Sequence, residues 1–277
     1  MKRHFDVRVN RASADSVSIR EGLGRRDRRG SLMILPNVRS SFGRDEAQLL
    51  VHALGRDDPE GEKRWESILS ERGIDPLLDD PATLEAIMEG PSVSTFPLRL
   101  VLYVLLRQSL LDGGIQSRLL SDYLASLVLH FGEGKRFTRI REYDDGEYYY
   151  LVDMLEDLGE ASGPRAFLLR AHMGNFSLWL SGLFPDYITS RMHRAGGPDL
   201  GYYEEMGQTG FLLASEDPYA RGQALDDLYR DAAAAFIPMR RALNHFSDRY
   251  LVPHASSPVD RLLRQVKDDS EEKWLQA

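Results

Sequence analysis

The 277-residue chain has no cysteine, which excludes disulfides, thiol nucleophiles and thiolate-bound metals and fits a reducing compartment. It also lacks a secretory signal: the opening MKRHFDVRVNRASADS carries basic residues with no apolar stretch behind them. A membrane-spanning run is missing too. Residues 96–111 are too few and include Arg99 and Arg107, while 167–188 are interrupted by Arg170, His172, Asn175 and Asp186. A soluble, cytoplasmic protein with no membrane partner is the expectation. The usual catalytic signatures are also absent. There is no H-E-x-x-H, no E-x-x-H and no G-x-S-x-G, and GLGRRDRRG has neither a Gly-Lys-Ser/Thr ending nor an apolar helix behind it. No metal, cofactor, nucleotide hydrolysis or serine chemistry is therefore expected.

What is present is helix punctuation. Acidic residues at helix starts, proline at first helical positions and glycine at helix ends recur along most of the chain. Helices are predicted over 44–54, from Asp58-Pro59 to Gly73, and from Asp80-Pro81 to Met88. Residues 95–111 are apolar all round and read as a buried central helix, followed by another over 116–131. Alternation in KRFTRIREY (135–143) suggests a short strand. Asp145-Gly146 opens a helix with Tyr148, Leu151, Val152, Leu155 and Leu158 on its inner face. Helices over 163–184, 186–194 and from Asp199 follow, and another runs from Asp217-Pro218 to Leu251, kinked or broken at Pro238. About eleven helices result. The fold class expected is all-α: an irregular, multi-helix single domain with a short, partly extended N-terminal arm. Its divisions are a basic arm over 1–40, a helical domain over 41–269 and a charged tail over 270–277.

Charge is unevenly distributed. Residues 1–44 carry eleven basic and four acidic groups, so the net charge of −8 leaves −15 on the remainder. A basic arm on an acidic body could meet phosphates through Arg25, Arg26, Arg28 and Arg29, although only Phe5 and Phe42 are at hand for base stacking. An arm that docks would do so through residues 32–35; the alternative is a flexible tail whose arginines keep it soluble.

Four glycines stand inside predicted helices, where each costs about 1 kcal/mol relative to alanine. Gly174 and Gly182 share a face two turns apart, and Gly207 and Gly210 lie in the next long helix with Ala214 beyond. Small residues so placed let two helix backbones approach, and a crossing of these two helices is expected there. Glycines lining a ligand path are the alternative.

This tract resembles a group of uncharacterised bacterial proteins through Gly174, Leu178, Gly182, Phe184, Pro185, Tyr202, Tyr203, Met206 and Gly207. The group has no assigned activity, so the resemblance implies no catalytic residue. Arg240 and His245, separated by four residues, resemble the signature of HEPN ribonucleases, an all-helical, metal-independent family whose site is shared across a dimer. The resemblance implies that Arg240 holds the scissile phosphate and His245 acts as acid or base near neutral pH. Arg241 departs from the family, which has an uncharged or acidic polar residue there. The same stretch also reads as a solvated stripe of Arg241, His245 and Arg249 backed by Leu243, Phe246 and Tyr250. Residues 172–175 resemble the His-x-Gly-Asn tract of lipid A acyltransferases, but Phe176 stands where their acidic partner would be, leaving His172 as a helix residue.

Tyr202, Tyr203 and Glu204, with His172, are the other candidate binding residues. Glu204 and Glu205 could meet His172 or His193 in space. Tyrosine is favoured at protein interfaces, so the patch of Tyr148, Tyr149 and Tyr150 and the pair Tyr202–Tyr203 each suit a partner surface or self-association, or else complete the core. A helical binding or scaffolding protein is the expectation, with the ribonuclease and the nucleic-acid-binding arm as alternatives.

Overall fold

A computed structural model describes residues 33–56, 58–89, 95–133, 136–140 and 146–251. Thirteen α-helices run through them: α1 (Arg44–Leu54), α2 (Pro59–Arg72), α3 (Asp75–Asp79), α4 (Pro81–Glu89), α5 (Leu98–Asp112), α6 (Arg118–Gly132), α7 (Leu151–Glu160), α8 (Gly163–Leu183), α9 (Pro185–Ala195), α10 (Leu200–Glu216), α11 (Pro218–Gly222), α12 (Asp226–Ala234) and α13 (Phe236–Phe246). The fold is all-α, and no strand occurs among the described residues. Capping follows the sequence pattern. The carboxylates of Asp58, Asp80, Asp199 and Asp217 accept from the N–H groups of Glu60, Ala82, Tyr202 and Tyr219 at 2.8–3.1 Å. Each satisfies a donor that the helix itself leaves open.

α8 is the axis of the molecule. Buried residues occupy every side of it from Ala166 to Leu183, and α6, α7, α9, α10, α11 and α13 all pack against it. α5 is buried over most of its circumference, between α6 and α13 on one side and α3 and α4 on the other. α1 and α2 pack on each other and reach α5 through α4 and α3. One apolar core continues from Ile34 to Phe246. Ile34 and Val38 are buried in it, so the docking expected of 32–35 is seen at Ile34, while Leu32 lies outside the described residues.

The α8–α10 crossing is as close as the glycines require. A Cβ on Gly210 would lie 2.8 Å from both the Arg170 carbonyl oxygen and the Gly174 nitrogen, so the two backbones touch. A Cβ on Gly174 would enter the Phe211 ring, and one on Gly207 would enter the Phe236 ring and meet Ser177. Gly182 serves a different neighbour. Its missing Cβ makes room for Leu243 of α13, so the expected four-glycine contact divides between two helix pairs.

Three other local expectations need correction. The described part of the alternating segment is a 3-10 turn, Arg136–Thr138, closed by a Tyr148 N–H donating to the Thr138 carbonyl at 2.7 Å. α7 begins at Leu151 instead of following Gly146, and this later start rotates its faces: Leu151 and Met154 are buried while Val152 and Leu155 are exposed. The stretch after Asp217 is three α-helices and a π-helical turn, Ser247–Leu251. The first break falls at Ala224, which holds a positive φ of 55°. Pro238 lies in the first turn of α13, where its missing N–H sacrifices no helical bond.

Candidate functional site

The sequence-predicted residues separate into a buried polar knot, a buried histidine and a half-exposed aromatic face. The knot forms where α8 ends. The last carbonyls of a helix have no partner within it, and here α13 supplies them. Asn244 Nδ2 donates to the Ser181 and Gly182 carbonyls at 2.9 and 2.5 Å, and Ser247 Oγ donates to the Leu183 carbonyl at 3.0 Å. Arg240, only 1% exposed, fixes the Asn244 amide by donating to its Oδ1 at 2.7 Å. The Arg240 charge is balanced by Glu204 of α10, 2.9 Å away. Its position near the negative end of the α8 dipole is favourable as well.

Arg240 and His245 are therefore not brought together. Arg240 points inward to Glu204, whereas His245 is on the exposed side of α13. The stripe is real in part: Arg241 is half-buried, His245 and Arg249 are exposed, and the Arg249 guanidinium lies 5.4 Å from the Tyr250 ring. Glu204 belongs to the knot through Arg240.

His172 is deep in the core. Its ring meets Phe131 at 5.6 Å and Tyr148 and Phe176 at 6.4 Å. Burial pulls its pKa down to about 3, against the opposing effect of a hydrogen bond to the Phe137 backbone. His130, adjacent through Phe131, is likewise lowered by burial, to about 4. Both are neutral at physiological pH, and the Nε2 atoms of both are buried without a hydrogen-bond partner. The neutral, enclosed His172 imidazole has no route to a substrate in solution. Among the described residues no three His, Asp or Glu side chains come together as metal ligands. Arg25, Arg26, Arg28 and Arg29 lie outside the described residues.

The aromatic face unites the two tyrosine patches. In the first, Tyr148 is buried and its hydroxyl hydrogen-bonds Asp157, which also takes the Arg165 guanidinium at 2.5 Å. The Arg165 hydrogen bond holds the Asp157 carboxyl below its usual range. This clamp ties α7 to the start of α8 and sets the direction in which the chain enters α7. Tyr149 bonds Glu147, itself paired with Arg139 at 2.6 Å. Tyr150, 46% exposed, turns outward. Arg191 of α9 lies over its ring, with the guanidinium carbon 4.5 Å from the centroid.

The second patch arrives from α10. Tyr202 and Tyr203 meet edge to face with centroids 5.8 Å apart. Burial raises the Tyr203 pKa, and Arg191, Tyr187, Tyr202 and Tyr150 all lie within electrostatic reach of its hydroxyl. Four tyrosines and one arginine, from three elements, thus share one neighbourhood. Tyr187, Arg191 and Arg194 are spaced by four and three residues, so they share a face of α9. The loop after α9 accommodates them. Gly196 closes the helix in the left-handed region, and a Cβ on Gly197 would come within 3.1 Å of the Arg191 stem. Val152 and Leu155, one turn apart on α7 just after Tyr150, are exposed apolar side chains.

Sequence reasoning found Tyr150, Tyr202 and Tyr203 but missed Arg191 and Tyr187. Their signal was the Tyr-x3-Arg-x2-Arg spacing behind Pro185, legible only once 185–195 is placed beside α7 and α10. Among the described residues no helix is long and apolar enough to cross a membrane. No protein-family model, curated protein or solved structure matches this chain.

Proposed function

We propose that the protein works by binding another protein chain, or a second copy of itself, across the face formed by Tyr150, Val152 and Leu155 of the α7 region, Arg191 of α9 and Tyr202 of α10. One observation carries the reading: Tyr150, stacked under Arg191, shares a neighbourhood with the Tyr202–Tyr203 pair about fifty residues away in sequence, and Tyr150, Val152 and Leu155 are exposed. Tyrosine and arginine are the residue types that dominate binding energy at interfaces, since both combine large apolar area with polar groups. The alternative sequence candidates have less support. Arg240 is spent on Glu204 and Asn244, and His172 is enclosed.

Site-specific photocrosslinking in the host cell tests the proposal. Benzoylphenylalanine at Leu155 should give a discrete adduct that is lost when Tyr150→Ala is added. The same probe at Leu119, an isolated exposed leucine on α6, should give none. Equal yields from the two positions, or no adduct from Leu155, would overturn the reading.

A further inference from the structure

Residues 33–41 are pinned to the helices beneath them. Ile34 and Val38 are buried in the core, the Asp122 carboxylate of α6 accepts the Arg39 N–H at 2.8 Å, and the Arg39 side chain pairs with Asp75 of α3 at 2.5 Å. Between this segment, α5 and α6 a cleft remains, with a cavity volume of about 30 Å³. Its apolar wall includes Ile34, Leu35, Val38 and Leu129, and its ionisable groups are Arg99 of α5 and His130 of α6. We infer that this cleft binds a short aliphatic monocarboxylate, with the alkyl tail among the aliphatic side chains and the carboxylate on the Arg99 guanidinium. None of these residues belongs to the α7–α9–α10 face.

Charge selects an anion here. Among the described residues no acidic side chain lines the cleft. The acids on flanking segments are committed elsewhere or face solvent. Asp122 holds the Arg39 N–H, Glu133 pairs with Arg136 at 2.7 Å, and Glu46 accepts the Gly43 N–H at 2.8 Å. Asp45 and Glu89 are exposed, at the start of α1 and the end of α4, and the first turn of α5 contains no acid. Arg99 is half-buried, and among the described residues no carboxylate lies within 4 Å of it and no hydrogen bond holds it. Arg39, Arg107 and Arg118 nearby in the fold all reach a carboxylate. The edge of a free guanidinium matches a carboxylate with two parallel hydrogen bonds.

The lining also limits the charge and size of the ligand. Burial and the neighbouring Arg136 push the His130 pKa down to about 4, so this imidazole is neutral at physiological pH. Arg99 is then the one permanent charge in the lining, which suits a monoanion. A phosphate dianion or a dicarboxylate would bring a second charge with nothing to meet it. A cavity of this volume holds about two or three waters, the bulk of an equally short alkyl tail. Ile34 and Val38 are 3% exposed whereas Arg99 is half-buried, so the tail lies inward and the carboxylate outward. Apolar walls with few polar anchors are the usual composition of small-molecule sites.

Methyl NMR of the full chain, labelled at isoleucine, leucine and valine, tests this with sodium butyrate, butyramide and butylammonium chloride as probes. Butyrate should shift the Ile34, Val38 and Leu129 resonances saturably, with a Kd of about 1 mM, and leave those of Val152 and Leu155 in place. Butyramide and butylammonium should each bind at least about tenfold more weakly. Arg99→Gln should weaken butyrate by about tenfold and leave butyramide unchanged, while Leu129→Phe, which fills the cleft, should abolish both. Circular dichroism separates lost binding from lost structure, and if Leu129→Phe unfolds the protein, Arg99→Gln at its half-buried position still decides. Equal affinity for butyrate and butyramide, or unchanged butyrate affinity in a folded Arg99→Gln protein, would overturn the inference. So would the absence of any saturable shift, the behaviour of a cleft that holds water only.

Discussion

Arg240 and Arg191 are both guanidinium groups on helices near the α8 axis, yet their surroundings are opposites. Arg240 is sealed from water between Glu204 and Asn244, and every polar group of the knot is turned toward another or toward the end of α8. Arg191 is half-buried, rests on an aromatic ring and faces outward. The comparison separates a charge that holds the fold together from a charge that the fold holds out. It also shows that residue type alone does not tell the two settings apart.

The sharpest way to break the contrast is to remove each arginine. Arg240→Met leaves Glu204 without its buried counter-charge and should destabilise the protein by roughly 3–5 kcal/mol in chemical denaturation. Arg191→Gln should stay within about 0.5 kcal/mol of the parent, as expected for a surface change. Comparable losses for the two variants would show that Arg191 too is structural.

Acid should probe the core histidines next. The folded-state pKa of His172, about 3, lies below the ordinary histidine value. Between roughly pH 6.5 and that value the unfolded chain binds the proton and the native state does not. Stability is therefore fully present above pH 6.5 and falls as pH drops, by about 1.4 kcal/mol per pH unit for one such group. By pH 5 the loss from His172 is roughly 2 kcal/mol. His172→Phe should flatten this limb of a stability–pH profile, and an unchanged slope would mean that the imidazole gains a proton without unfolding.

Two glycine substitutions sharpen the picture at smaller scale. Gly210→Ala places a Cβ 2.8 Å from two backbone atoms, which cannot swing aside as a flexible side chain would. Overpacking of about 1–3 kcal/mol, less about 1 kcal/mol of helix propensity, leaves a net loss of up to about 2 kcal/mol in thermal melts. Gly159→Ala on α7 meets nothing within 4 Å and should gain about 0.5–1 kcal/mol. An α7 that rejected alanine at 159 would be a packed helix, contrary to its exposed outer face.

Much of the fold was legible because its signals are local. Asp58-Pro59, Asp80-Pro81, Asp199 and Asp217-Pro218 each mark a helix start through chemistry contained within a few residues. The glycines at 174, 207 and 210 likewise announced a close approach, since little else justifies glycine inside a helix. What the sequence hid was set by neighbours. The break after α11 falls on Ala224, whose left-handed φ contradicts its own preference, so no residue type marks it. α7 was misphased by one face because Tyr148, apolar enough to look helical, is instead held in a non-helical approach by Thr138, Asp157 and Arg165. Of the candidate site, the tyrosines were visible as composition, but the arginine between them became apparent only when three separate elements were brought side by side.

Tyr203 and Glu204 are neighbours on one turn of α10, the first facing Arg191 and the second locked to Arg240. Rotating α10 would pull Glu204 from its counter-charge, so the helix cannot turn without exposing a buried pair to the low-dielectric core. The tyrosine surface is therefore preorganised. A chain that docked there, as proposed, would meet a backbone already frozen in place, and most of the ordering entropy of association would fall on the incoming chain.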